Sequence, residues 1–260
     1  MRKRKRCRRW LKSKTGIFPP TFPSFPLVNM SFPRSCGILC TMQKLIPAYP
    51  TYTRSERIAD GTMHLLGVLG AIVGAIFLAV WNFEHLGGGQ IASLIVYSIA
   101  LIATFSASAL YNMSPWERPR AVFRRIDHAA IYVKIAGTYT PLVVLIGSLS
   151  SYLVLATVWG LATFGVIRKL FFWRTPGKAG TVLYLIMGWL SVALIWSLVP
   201  VLPTTATALI IGGGLTYTTG VIFYVWKSLK FSRAIWHGFV LAASVCFFVA
   251  IALGTHANAV

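Results

Sequence analysis

Residues 62–81 read TMHLLGVLGAIVGAIFLAVW, a run without a formal charge whose one imidazole is His64. At about 1.5 Å rise per residue, such a run crosses the roughly 30 Å hydrocarbon core of a bilayer. In that medium a helix satisfies all its backbone polar groups within one segment, so the stretch is expected to be a transmembrane helix.

Six further stretches have the same character: 89–111, 128–147, 151–167, 181–199, 206–226 and 236–254, the fourth being the shortest. The fold class expected is therefore all-α, a seven-transmembrane helix bundle. Trp81, Trp226 and Trp236 stand at span ends, where interfacial aromatics collect. Composition agrees. The chain is 56% hydrophobic and 12% charged, about half the ~25% charge usual in soluble domains.

The net charge of +20 invites a nucleic-acid reading, but its distribution excludes one. Nine of the 25 basic residues fall within 2–14, and nearly all the rest lie in short loops, apart from the aromatic-rich apolar runs. The loops at 82–88, 148–150 and 200–205, and the C-terminal tail, contain no Lys or Arg. Arg118, Arg120, Arg124 and Arg125 follow the second span; Arg168, Lys169, Arg174 and Lys178 follow the fourth; Lys227, Lys230 and Arg233 follow the sixth. With Arg54 and Arg57 ahead of the first span, the positive-inside bias puts the N-terminus in the cytoplasm and the C-terminus outside. The expected setting is the cell (inner) membrane, with the lipid bilayer as partner and no nucleic acid.

Residues 1–50 form a basic, proline-rich tail without an apolar run, and 55–255 form the membrane domain. Nothing in the tail could bury a core, and translation is expected to start at Met42. Cys36 and Cys40 lack a CxxC spacing, so neither a zinc finger nor a disulfide framework is implied. Gly70-xxx-Gly74 and Gly212-xxx-Thr216-xxx-Gly220 offer small-residue faces for helix packing.

Polar residues gather at one set of span ends. Asp60 and His64 open the first span, Ser108 and Asn112 close the second, Asp127 and His128 open the third, and Arg233 and His237 open the seventh. Pairs at i, i+4 share a helix face, and ionisable groups at membrane depth tend to face the bundle interior. The plain alternatives are N-caps at Asp60 and Asp127, a C-terminal cap at Asn112 and an orientation signal at Arg233. An inward Arg233 would be an ion-pair partner for Asp127. Lys134 lies about 10 Å deeper than Asp127, free to meet an acid inside the bundle or to snorkel outward.

The run Arg125-Ile-Asp-His-Ala-Ala-Ile-Tyr-Val-Lys-Ile-Ala-Gly-Thr-Tyr-Thr-Pro141 resembles the signature of the haemolysin III proteins, the bacterial branch of the progestin and adipoQ receptor family. Ser108-Ala-Leu-Tyr111, Tyr184-Leu-Ile-Met-Gly-Trp189, Gly213-Gly-Leu-Thr-Tyr217 and Ala234-Ile-Trp-His-Gly-Phe-Val-Leu241 extend the resemblance from about Ser55 to Gly254. It implies seven helices with a cytoplasmic N-terminus. From the adiponectin receptors it also implies a zinc ion held by three histidines, one from S-x3-H on the second span and two from H-x3-H on the seventh. A third-span aspartate would contact the zinc-bound water. Here those motifs read Ser108-x3-Asn112 and Arg233-x3-His237, and the first-span motif reads Asp60-x3-His64. An amide is a poor zinc ligand and a guanidinium repels the ion, so His64 or His128 would have to join His237 to rebuild a metal site.

The function expected is that of a multi-pass protein that perturbs membranes by pore formation and cytolysis, or that serves membrane homeostasis. A lipid or small apolar ligand would bind at the polar cluster. The alternative is a membrane-embedded zinc-dependent lipid amidohydrolase with Ser108 and Asp127 as catalytic candidates, disfavoured by Asn112 and Arg233. The residues leave the oligomeric state open. A reporter fused after Val260 is expected to report the side opposite the cytoplasm; a cytoplasmic signal there would overturn the span count or the orientation.

Overall fold

The computed structural model describes residues 52–82, 85–172, 179–226 and 228–258. The expectations about the tail and Met42 lie outside these residues, as do Arg174, Lys178 and Lys227. The described residues form helices without strands: α1 (Arg54–Asn82), α2 (Gly88–Met113), α3 (Glu117–Ile146), α4 (Leu149–Phe171), α5 (Ala179–Trp189), α6 (Val192–Leu198), α7 (Thr204–Val225) and α8 (Ser232–Ala257). Seven spans are long and apolar enough to cross a membrane, the fifth (Gly180–Leu198) being made of α5 and α6 together.

The helices start earlier than their apolar runs. α1 begins at Arg54 and α3 at Glu117, because hydropathy marks where lipid begins rather than where helical hydrogen bonding begins. Asp60 and Asp127 consequently lie inside helices and do not cap them. Asn112 is not the terminal cap of α2 either; Ser114 occupies that position.

The break in the fifth span was not foreseen. The polypeptide leaves α5 at Trp189 and resumes at Val192, which frees backbone carbonyls at membrane depth. Tyr139 on α3 donates to the carbonyls of Met187, at 2.7 Å, and Gly188, at 3.1 Å. The Ser191 hydroxyl donates to Gly188 as well, at 2.8 Å. Irregular backbone survives in a membrane where buried polar partners of this kind meet it.

Neighbours in sequence are neighbours in space: α1 packs on α2, α2 on α3 and α3 on α4, while α8 lies against both α7 and α1. α3 also touches α5, α6 and α8, which makes it the central helix, with 56% of its most apolar window buried. Small residues admit this packing, at Gly74 and Gly220 as expected but not at Gly70 or Gly212. Gly70 and Gly212 have nothing within 4 Å of a notional Cβ, whereas Gly67 abuts Phe105, Gly74 abuts Phe248, and Gly213 and Gly220 abut Phe247 and Phe239. Gly70 and Gly212 thus lie one helical position or more away from the true contact faces.

Gly137 on α3 makes the tightest such approach to another backbone, with a notional Cβ 2.6 Å from Ala100 Cβ and 3.8 Å from Tyr97 Cα. A methyl on a neighbouring backbone cannot rotate away, so Gly137→Ala is expected to destabilise the protein in detergent by about 1–3 kcal/mol. Ala100→Gly in the same chain should restore most of the loss, and Gly70→Ala should stay within about 0.5 kcal/mol of wild type. Thermal unfolding checks all three, and an indifferent Gly137→Ala would contradict the packing.

Candidate functional site

One face of α1 builds half of the site. Glu56, Asp60 and His64 follow one another at single-turn spacing, and each meets the start of α8. Glu56 Oε2 accepts from the Thr53 amide at 2.9 Å and hydroxyl at 2.7 Å, and its Oε1 accepts from the amide of Phe231 at 3.2 Å. Phe231 is the residue before α8 and has φ of 61°, a left-handed conformation that few bulky side chains adopt. One turn deeper, the His237 Nδ1–H donates to Asp60 Oδ1 at 2.6 Å. One turn deeper again, the His64 and His237 rings lie 4.3 Å apart, with His64 Nε2 3.6 Å from Asp60 Oδ2. Asp60 is 4% exposed and His64 3%. A carboxylate buried in this way is costly unless its neighbours compensate it, and here two imidazoles flank it.

The other half comes from the end of α2 and the start of α3. Asn112 Nδ2 donates to the carbonyl of Ser108 at 2.9 Å, and Arg233 Nη1 donates to Asn112 Oδ1 at 2.9 Å. The Arg233 guanidinium also lies over the Tyr52 ring, 4.5 Å from its centroid. The Ser108 hydroxyl accepts from Asn112 Nδ2 at 3.3 Å, and the Asp127 carboxyl stands nearby, in the fields of His64, Arg233 and Asp60. The expected Arg233–Asp127 ion pair is thus replaced by an Arg233–Asn112 hydrogen bond, with Arg233 acting on Asp127 at longer range.

The structure therefore brings Asp60, His64, Ser108, Asn112, Asp127, Arg233 and His237 together at one end of the bundle. His128 stands to the side. Its Nδ1 donates to the carbonyl of Arg124 at 2.8 Å and lies 3.7 Å from Asp127 Oδ2. Among the described residues, the set able to offer three ligand atoms to a metal is Asp60, His64 and His237, whose atoms all lie within 4.8 Å of one another. His64, not His128, is the histidine that joins His237.

Two polar contacts escaped sequence reasoning. Lys134 neither meets an acid nor snorkels: it is 7% exposed, donates to Ser244 Oγ at 2.6 Å and sits over the rings of Phe105 and Tyr217. At the opposite end, Trp81 Nε1 donates to His256 Nδ1 at 3.1 Å, joining the last turns of α1 and α8. Both pairings join residues more than 100 positions apart, so no local spacing could have revealed them.

A closed seven-span bundle with a buried ionisable cluster at one end is a recognisable class of membrane protein. Over residues 52–248 the chain matches the family described as haemolysin-III related. It is 35% identical over 203 residues to the "Hemolysin-3 homolog" of Bacillus subtilis (strain 168), covering 77% of this chain and 94% of that protein. It is 36% identical over 198 residues to "Hemolysin-3" of Bacillus cereus, covering 75% and 90% of the two chains. The chain belongs to the haemolysin-III related family.

The three-histidine zinc site that the resemblance implies does not fit these residues. Two of its positions hold Asn112 and Arg233, hydrogen-bonded to each other, so a fixed positive charge stands where a neutral ligand would be needed. If the Asn112–Arg233 pair couples α2 to α8, Asn112→Leu and Arg233→Leu should each cost about 1–3 kcal/mol by stranding the partner. The double variant should cost less than the sum by at least roughly 0.5 kcal/mol. Additive losses in detergent unfolding would show that the pair is not coupled.

Proposed function

We propose that the chain is a membrane-homeostasis protein of the cell membrane that takes the polar end of a lipid or small apolar ligand into this cluster. In this reading it does not conduct through its own bundle. One observation carries the reading: the buried carboxylates and the imidazoles and guanidinium that meet them gather at one end, and the other end is packed with apolar side chains. Leu78, Leu94, Leu142, Val143, Leu198 and Ile251 are all buried there. Three buried hydroxyls at that end, Ser93, Ser151 and Thr255, donate to carbonyls of their own chain within four residues, while Thr207 Oγ1 is buried there without a partner. A conducting path needs polar lining through the whole thickness, and hydroxyls turned onto their own backbone supply none. The names of the two relatives keep membrane perturbation, by pore formation or cytolysis, as the rival account.

Orientation follows the charge asymmetry. From Arg54 onward, every Lys and Arg except Lys134 lies at or beyond the span ends that carry the polar cluster, which supports a cytoplasmic position for it. A second reading, hydrolysis of a lipid, is favoured by the gathering of Asp60, His64 and His237 at the end of the bundle that also holds Ser108 and Asp127. A carboxylate, a hydroxyl and imidazoles at one locus can hold and move a proton.

Purified protein reconstituted into dye-loaded vesicles is expected to cause no leakage above protein-free controls. In cells, Asp127→Asn is expected to shift membrane lipid composition in the same direction as loss of the whole protein. Leakage that rises with protein dose would sink the homeostasis reading and favour the pore.

A further inference from the structure

We infer that Asp60, His64 and His237 form a binding centre for a divalent transition-metal ion, its ligands drawn from α1 and α8. This set is not the one that the zinc-binding relatives suggest, in which α2 and two positions of α8 supply the ligands. Here the α2 position is an amide, and the first α8 position is a guanidinium tied to that amide and to Tyr52. The ligating function has moved to the one helix face that α8 already meets.

Geometry and burial carry the inference together. The three residues offer one ligand atom each within a 4.8 Å neighbourhood, and two imidazoles with one carboxylate suit zinc or iron(II) with positions left open. His64 Nε2 is the second observation. It is wholly buried on a side chain 3% exposed and has no hydrogen-bond partner, the closest Asp60 oxygen standing at 3.6 Å. A buried nitrogen left unsatisfied costs about 1–3 kcal/mol, and its position facing Asp60 and His237 is where a shared ion would satisfy it. The i, i+4 spacing of Asp60 and His64 presents both from one helix face, and the Glu56–Phe231 hydrogen bond sets the start of α8 against them.

The test uses the full chain, purified from metal-sufficient cells and exchanged through buffer without chelator. Elemental analysis is expected to find about one transition-metal ion per chain. Asp60→Asn and His64→Gln should lower that content, and the affinity for added Zn2+, by at least about tenfold, while His128→Gln keeps both. Cobalt(II) added to metal-stripped wild-type protein should give visible ligand-field bands that zinc abolishes, without sulfur-to-metal charge transfer. The cobalt spectrum needs no variant, so it decides the matter even if a substituted chain fails to fold. A wild-type protein that holds no metal and takes up neither ion would overturn the inference. Thiolate charge transfer, or metal retained in His64→Gln but lost in His128→Gln, would overturn it equally.

Discussion

An aspartate buried at membrane depth is held by its neighbours or not at all, and Asp60 is held from two helices. His237 of α8 donates to one of its oxygens and His64 of α1 approaches the other. Removing either imidazole would leave a carboxylate in low dielectric, a cost of several kcal/mol, so this contact fixes how α1 and α8 meet. The Glu56–Phe231 hydrogen bond above it and the ring contact below it repeat the join at one-turn intervals. At the far end, Trp81 and His256 close the same pair of helices. The first and last spans are thereby joined along their length, which closes the circuit of helix contacts that runs from α1 through α2, α3, α4, α5 and α7 to α8.

That closure explains why the polar chemistry is local. α3 fills the centre of the bundle, and its deeper polar groups are each satisfied in place. Lys134 is held by Ser244 and two aromatic rings, and Tyr139 by the carbonyls of the broken fifth span. What remains at the open end is a small cluster with both signs of charge. Within it, Arg233 and Asn112 occupy each other, leaving Asp60, His64, His237 and Asp127 as the groups able to meet a ligand. The two positions that depart from the three-histidine pattern are thus hydrogen-bonded to one another.

The fold was legible because lipid imposes it. Twenty-residue apolar runs and a one-sided basic distribution are properties of composition along the chain, and seven spans follow from them without tertiary knowledge. The gathering of Asp60, Ser108, Asp127 and His237 at one end was legible by the same logic, since topology alone brings alternate span ends together. What the sequence hid is pairwise. Nothing local distinguishes an Arg233 that bonds Asn112 from one that bonds Asp127, or a His64 that faces His237 from a His128 that turns to Arg124. The break at Leu190–Ser191 was hidden for the same reason: it depends on Tyr139, which reaches it from another helix. Of the packing glycines, Gly74 and Gly220 were placed correctly while Gly70 and Gly212 were not, because every face of a small-residue-rich helix looks alike until its neighbour is known.

The central claim is that Asp60 joins α1 to α8 and so builds the polar end of the molecule. Amide hydrogen–deuterium exchange on Asp60→Leu in detergent, compared with wild type, tests it most directly. The account expects protection to fall in the first turns of α1 and around residues 231–240, with the Trp81–His256 end and α4 unchanged. Exchange indistinguishable from wild type, or a loss spread evenly over all the spans, would contradict it.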